Sequence, residues 1–199
     1  MARYTGPKRR FSRREGVALF AKDAKALERR GAVPPGMHGV RGRRRISEYR
    51  LQLREKQKTK RIFGLLERQF RNYFQEASKI KGTTGLMMLQ FLETRLDNVI
   101  YRLGFAGSRA GARQMVSHGH VLVDGKKINI PSYRVKLRQT IALSSKLGDN
   151  IQVKKALEGS QTLPPWLEKK ALVGKVLRMP EREEVEQVDE RLIVEFYSR

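Results

Sequence analysis

Asp124-Gly125 stands between "VLV" and "KKINI", and no other dipeptide constrains the fold of this chain as strongly. Such a pair closes a two-residue antiparallel hairpin. The tight turn needs positive φ at both central positions, which Gly accepts freely and Asp tolerates. Upstream the apolar period switches. Phe91, Leu92, Leu96, Val99, Ile100 and Leu103 fall on one side of a helix, and Gly104 supplies its C-terminal stop. Ser108 caps a further helix with Ala112, Met115 and Val116 on its apolar face. Arg109, Arg113 and Ser117 occupy the adjacent face at i, i+4 and i+8. Downstream, "YRVKLRQTIALS" alternates through Val135, Leu137, Ile141 and Leu143. Two helices on a short antiparallel sheet are expected, a compact α+β module over residues 92–159.

A second apolar system precedes it. Ser47 caps a helix running to about Ile80, with Gly64 permitting a break. Its first half carries Arg50, Arg54, Lys58 and Arg61 on one face, which Lys56 and Lys60 widen. In the second half Phe63, Leu66, Phe70, Tyr73 and Ala77 form an apolar stripe expected in a core, with Arg68 and Arg71 among them. Later, "TLPPWLE" reads as a linker whose Trp166 inserts into a core, and "ALVGKVL" is strand-like. The terminal "RLIVEFYS" is apolar enough to be buried, and is expected to pack back on the Phe63–Tyr73 helix. The predicted architecture is α+β. A basic extended arm (1–45) leads into a mainly helical, discontinuous domain (46–91 completed by 160–199), which encloses the module.

Charge limits the partners. Lys and Arg number 43 against 20 Asp and Glu, a net charge of +23. From Met1 to Arg61 there are 20 basic and 5 acidic residues, whereas Glu181–Glu190 holds six acids and one arginine. That excess repels itself unless a polyanion absorbs it, and nucleic acid is the commonest such partner. No apolar run approaches the ~20 residues of a membrane-spanning helix. The start "MARYTGPKRR" lacks the apolar core of a secretory signal, and the absence of cysteine suits an intracellular, cytoplasmic setting. The arm, broken by glycines and prolines, has room for one short helix around Val17 to Arg30. Arg3, Tyr4, Lys8, Arg13, Arg14, His38 and the run Arg43, Arg44, Arg45 are its candidate RNA contacts, with Phe11 and Phe20 as stacking or anchoring groups.

Catalysis finds little support. His118 and His120 would share one side of a strand, but no Asp, Glu or Cys stands close by and zinc needs at least three protein ligands. No metal and no cofactor are therefore expected. Glu93 and Asp97 lie one helical turn apart beside Arg95 and Arg102, a pattern that usually makes exposed ion pairs. Nucleophile elbows and phosphate loops are absent. Ser108, Arg109, Arg113, Gln114, Ser117, His118, Gly119 and His120 read instead as a polar docking surface for phosphate and bases. Replacing Arg109 and Arg113 with alanine is expected to weaken RNA binding without unfolding the chain. The acidic run reads as a solvated face, or as a contact with a neighbouring protein or with the basic arm.

The run "LETRLDNVIYRLGFAGSRAGARQMVSHGHVLVDGKKINIPSY" closely resembles the RNA-binding module of the bacterial small-subunit ribosomal protein four family. "MARYTGPKRR", "SRREG", "PPGMHG", "LREKQK", "LERQFRNYF" and "LIVEFYSR" extend the resemblance along nearly the whole chain. It implies a non-enzymatic, primary binder of 16S rRNA that nucleates folding of the 5′ domain at a five-way helix junction. The implied RNA-facing positions are the arm, the basic helix, and Ser108, Arg109, Arg113, Gln114, Ser117 and His118. Implied neighbours are ribosomal proteins three and five, the latter linked to decoding accuracy, together with mRNA at the entry channel; an organellar ribosome is the alternative location. Many relatives carry a zinc-binding cysteine cluster in the arm. Arg9 and Ser12 stand at the matching first pair, so this is the zinc-free form, with an arm expected to depend more on RNA for its order. A non-ribosomal RNA chaperone sharing the module is the alternative function.

Overall fold

The structure is a computed structural model that describes residues 4–20, 23–30, 33–37, 47–144, 147, 151–158 and 162–199. The chain divides into two compact units, Met1–Gly85 with Val188–Arg199, and Leu86–Gln187.

The first unit is helical. α1 (Arg9–Glu15) ends at Gly16, whose positive φ of 74° closes the helix onto the Ser12 carbonyl. α2 (Ala24–Arg30) follows. The buried Ser12 hydroxyl of α1 donates to Asp23 at 2.5 Å; α2 takes the end of the helix expected from Val17 to Arg30, and α1 is additional. Ser47 caps α3 (Glu48–Ile62) by accepting from the Arg50 amide at 3.3 Å. Gly64, at φ +64°, separates α3 from α4 (Glu67–Ala77). That break changes the helical phase. Leu65 becomes buried with Phe63, Phe70 and Ala77, while Leu66 moves to the surface, contrary to the continuous stripe.

The terminal "RLIVEFYS" forms α9 (Glu190–Tyr197), capped by Asp189, which accepts from the Arg191 amide at 3.0 Å. It packs along α3 and reaches α4: Ile193 is fully buried, and Tyr197 stacks on Phe74 with ring centres 4.8 Å apart.

The second unit begins within α5 (Thr84–Glu93) and continues into α6 (Leu96–Arg102), two helices where one was expected. The interruption at Thr94-Arg95 lets Arg95 bridge to Arg134 and the Thr94 carbonyl accept from the Val135 amide at 2.9 Å. α7 (Arg109–Ser117) leads into β1 (Val121–Val123) and β2 (Lys126–Lys127). Their turn has φ 49° at Asp124 and 78° at Gly125, the conformation the dipeptide demands. The Asp124 carboxylate also accepts from the Thr140 amide at 2.8 Å, tying the turn to β3 (Thr140–Leu143).

α8 (Ile151–Glu158) precedes β4 (Leu167–Lys170) and β5 (Val173–Val176). The sheet is antiparallel in the order β2-β1-β3-β5-β4. The segment up to Gln187 therefore lies in the second unit, where the sequence placed everything after residue 160 in the first. The cause is apolar. Trp166, Leu167 and Val176 enter the same core as Leu96, Ile100, Val116, Val121 and Ile141. Gly174 faces Leu103 so closely that any Cβ there would overlap the leucine, which is how a helix can lie on β5. Among the described residues no helix is long and apolar enough to cross a membrane.

Candidate nucleic-acid interface

On the first unit the basic face of α3 is partly committed to the protein itself. Arg54 reaches Glu15 of α1 at 3.3 Å, and Arg61 donates to the same carboxylate, whose side chain is 2% exposed. The Arg61 guanidinium also lies 4.2 Å from the Phe11 ring centre, and burial, opposed by Glu15, lowers its pKa. Lys58 pairs with Glu55 at 2.9 Å, and Arg50 is half-buried. In the arm, Arg13 donates to the Val33 carbonyl at 3.1 Å, while Lys8 and Arg14 are exposed. Lys8 lies over Phe20, and Tyr4 rests 4.5 Å from Phe11. The arm aromatics thus anchor cations of their own chain. Arg68 and Arg71 are exposed on α4. Arg3, His38, Arg43, Arg44 and Arg45 lie outside the described residues.

Lys56 is a correction to the sequence reading. Its side chain is 5% exposed, bound to Glu67 at 2.8 Å and set 4.4 Å from the centre of Phe196. It does not widen the exposed face. Lys60 takes the other oxygen of Glu67 at 2.8 Å, and the Tyr197 hydroxyl donates to Glu67 at 2.8 Å. Burial works against ionising Glu67, but the bonds from Lys56, Lys60 and Tyr197 outweigh it and hold the carboxyl at about 2. The Tyr197 hydroxyl is pushed up by burial and by the Glu67 charge that it serves.

On the second unit, α7 offers a polar tip. The Ser108 hydroxyl accepts from the Gly111 amide at 3.2 Å. Ser108, Gln114, Ser117 and His118 are exposed, and Gly119 and His120 half-buried. His118 ends α7 and His120 precedes β1, with ring centres 6.1 Å apart, so they do not share a strand face. Among the described residues no three His, Asp or Glu side chains assemble a metal site. Gly119, at φ +71°, gives room to Lys127, whose side chain a Cβ there would strike. Lys126 and Lys127, which the sequence reading did not single out, are exposed on β2.

Beneath that tip lies an arginine–carboxylate lattice. Glu93, fully buried, accepts from Arg102 Nε at 3.0 Å and Nη2 at 2.7 Å, and from Asn98 Nδ2 at 2.6 Å. Burial opposes the charge on Arg102, yet Glu93 and then Glu186 raise its pKa. Asp97, 4% exposed, receives Arg95 at 3.1 and 3.0 Å and Arg113 Nε at 2.8 Å. Arg109 donates to Asn98 Oδ1 at 2.8 Å and to Glu186, and lies 4.6 Å from the Tyr101 ring centre. These are buried pairs, not the exposed ones expected of Glu93 and Asp97. The difference arises because the break after Glu93 turns both carboxylates inward. Arg113 therefore shares the neutralisation of a buried carboxylate, and replacing it carries a stability cost the sequence did not foresee. The acidic run is likewise engaged rather than merely solvated: Glu184 binds Arg178 at 2.9 Å, and Glu186 binds Arg102 at 3.2 Å.

Two family profiles match in tandem. Residues 3–93 fit the ribosomal protein S4/S9 N-terminal domain, and residues 94–141 fit the S4 domain. The chain is 55% identical to the small ribosomal subunit protein uS4 of Dictyoglomus turgidum, with both chains covered in full. It is 51% identical to small ribosomal subunit protein uS4A of Symbiobacterium thermophilum and 49% to uS4 of Thermus thermophilus, again over the full length of each. Matched by two adjoining profiles and from end to end by half-identical relatives, the chain belongs to the ribosomal protein S4 family, a family of ribosomal proteins and not of enzymes.

Proposed function

We propose that this chain is a structural component of the small ribosomal subunit and binds 16S rRNA directly, early enough to nucleate folding of the 5′ domain. In the assembled subunit it lies beside ribosomal proteins three and five near the mRNA entry channel, where it influences decoding accuracy. The observation that carries the RNA reading is the α7 tip: exposed Ser108, Gln114, Ser117 and His118 share that helix end with Arg113, fixed by the buried Asp97, and Arg109, fixed by Asn98 and Glu186. Pre-placed guanidiniums meet phosphates with little further loss of side-chain entropy. Exposed Lys8, Arg14, Arg68 and Arg71 on the helical unit add phosphate contacts. Counterion release then drives affinity, and the shape of a folded junction sets selectivity.

A filter-binding titration of the full chain tests this, using a 16S 5′-domain transcript and an unrelated structured RNA of equal length over a salt series. The 5′-domain RNA is expected to bind more tightly at every salt concentration, with log affinity falling linearly against log salt. Equal affinity for both RNAs, together with failure to co-sediment with small subunits, would overturn the ribosomal reading in favour of a general RNA chaperone.

A further inference from the structure

The three carboxylates of the module's lattice differ in depth, and the difference assigns one of them a separate role. Glu93 is fully buried and takes two nitrogens of Arg102; Asp97 is nearly as deep and serves both Arg95 and Arg113. Glu186 is 25% exposed and arrives from the irregular stretch just after the 3₁₀ turn Arg182–Glu184. It meets Arg102, already neutralised by Glu93, and Arg109. Arg109 is held on its Nε edge by the neutral Asn98 oxygen and on its face by Tyr101, so its orientation does not rest on Glu186 alone. Glu186 faces the Nη2 edge. A phosphate oxygen and a carboxylate oxygen are alternative acceptors for that same edge.

We infer that Glu186 is an internal phosphate surrogate: in the RNA-free chain it occupies the edge of Arg109 that an RNA phosphate takes on binding. This rests on the proposed RNA-binding role of the α7 tip. An incoming phosphate must displace the Glu186 carboxylate and is repelled by its charge until it does. Only a ligand that also engages the exposed α7 residues beside Arg109 offsets the cost of displacing it. The contact thereby penalises stray phosphates more than the cognate RNA, and acts as a selectivity gate. When Glu186 withdraws, Arg102 keeps Glu93 and the lattice stands.

The test uses the full chain and its E186Q variant, which keeps a neutral acceptor of the same size, with the 5′-domain transcript and the matched unrelated RNA across a KCl series. E186Q is expected to bind both RNAs more tightly, by about five-fold near 0.1 M salt. The larger gain falls on the unrelated RNA, so the selectivity ratio drops. E183Q makes the same charge change at an exposed neighbour and should gain clearly less. Adding Arg109→Ala to E186Q should remove the gain. The inference is overturned if E183Q matches E186Q, which would make the effect a general field, or if E186Q weakens binding, which would make Glu186 a positioning residue for Arg109. Failure of the wild-type chain to distinguish the two RNAs would instead sink the proposed function, so the two failures are separable.

Discussion

Both units hold deep carboxylates on arginines, Glu15 in the helical unit and Glu93 and Asp97 in the module, but the helical unit adds a shallow one. In the helical unit Glu67 gathers Lys56, Lys60 and Tyr197 with 45% of its side chain still exposed. In the module, Glu93 and Asp97 are sealed from water and each is matched by arginine at both oxygens. A deep carboxylate without its arginine is a buried, uncompensated charge; a shallow one falls back on water. The module's arginines are therefore scaffold for its own buried carboxylates. At Glu67 it is the carboxylate that reaches water, while Lys56 is buried beneath it.

The sharpest way to break this contrast is Glu93→Ala, which takes the buried carboxylate away from Arg102 and Asn98. It is expected to cost about 3–5 kcal/mol in urea denaturation. If it costs no more than the Glu67 variant below, burial depth is not what separates the two carboxylates. Gly174→Val forces a side chain into Leu103 and is expected to cost about 1–3 kcal/mol, with amide-exchange protection falling in the module's core. A fall in protection confined to α3, α4 and α9 would contradict the placement of β5.

Glu67→Gln sharpens the other side of the contrast, with an expected cost of about 1 kcal/mol near neutral pH once solvent screening is counted. Its signature is acid dependence. The folded carboxyl is held at about 2 against an ordinary 4.5, so its contribution is complete above 4.5 and is lost as pH falls from there towards 2. Denaturation midpoints of the wild-type and E67Q chains should converge over that window; a constant gap would refute the Glu67 assignment. The smallest stability effect belongs to Arg68→Ala with Arg71→Ala, exposed on α4 and expected to change stability by less than about 0.5 kcal/mol. The same pair should flatten the salt dependence of RNA binding by about 0.9 for each phosphate no longer neutralised. An unchanged slope would remove both from the interface.

Much of the fold was legible because it rests on local rules. The Asp124-Gly125 hairpin, the Ser47 and Ser108 caps and the apolar face of α7 all form as written. What escaped was long-range. Nothing near Trp166 in sequence marks its destination, and only the pairing of β5 with β3 carries it into the module core. Lys56 looked like its neighbours on α3 until the Glu67 and α9 side chains closed around it. Arg109 and Arg113 were placed on one helix face by their spacing, but their partners Asn98, Glu186 and Asp97 lie 11, 77 and 16 residues away.

By itself, then, the sequence determined the hairpin, the helix caps, the net charge and the family, because propensity, turn geometry and net charge are properties of short segments and of sums. Only the tertiary structure decided which cations are committed to carboxylates and which face solvent. That choice depends on desolvation and on charges meeting across distant parts of the chain, and no local pattern encodes either.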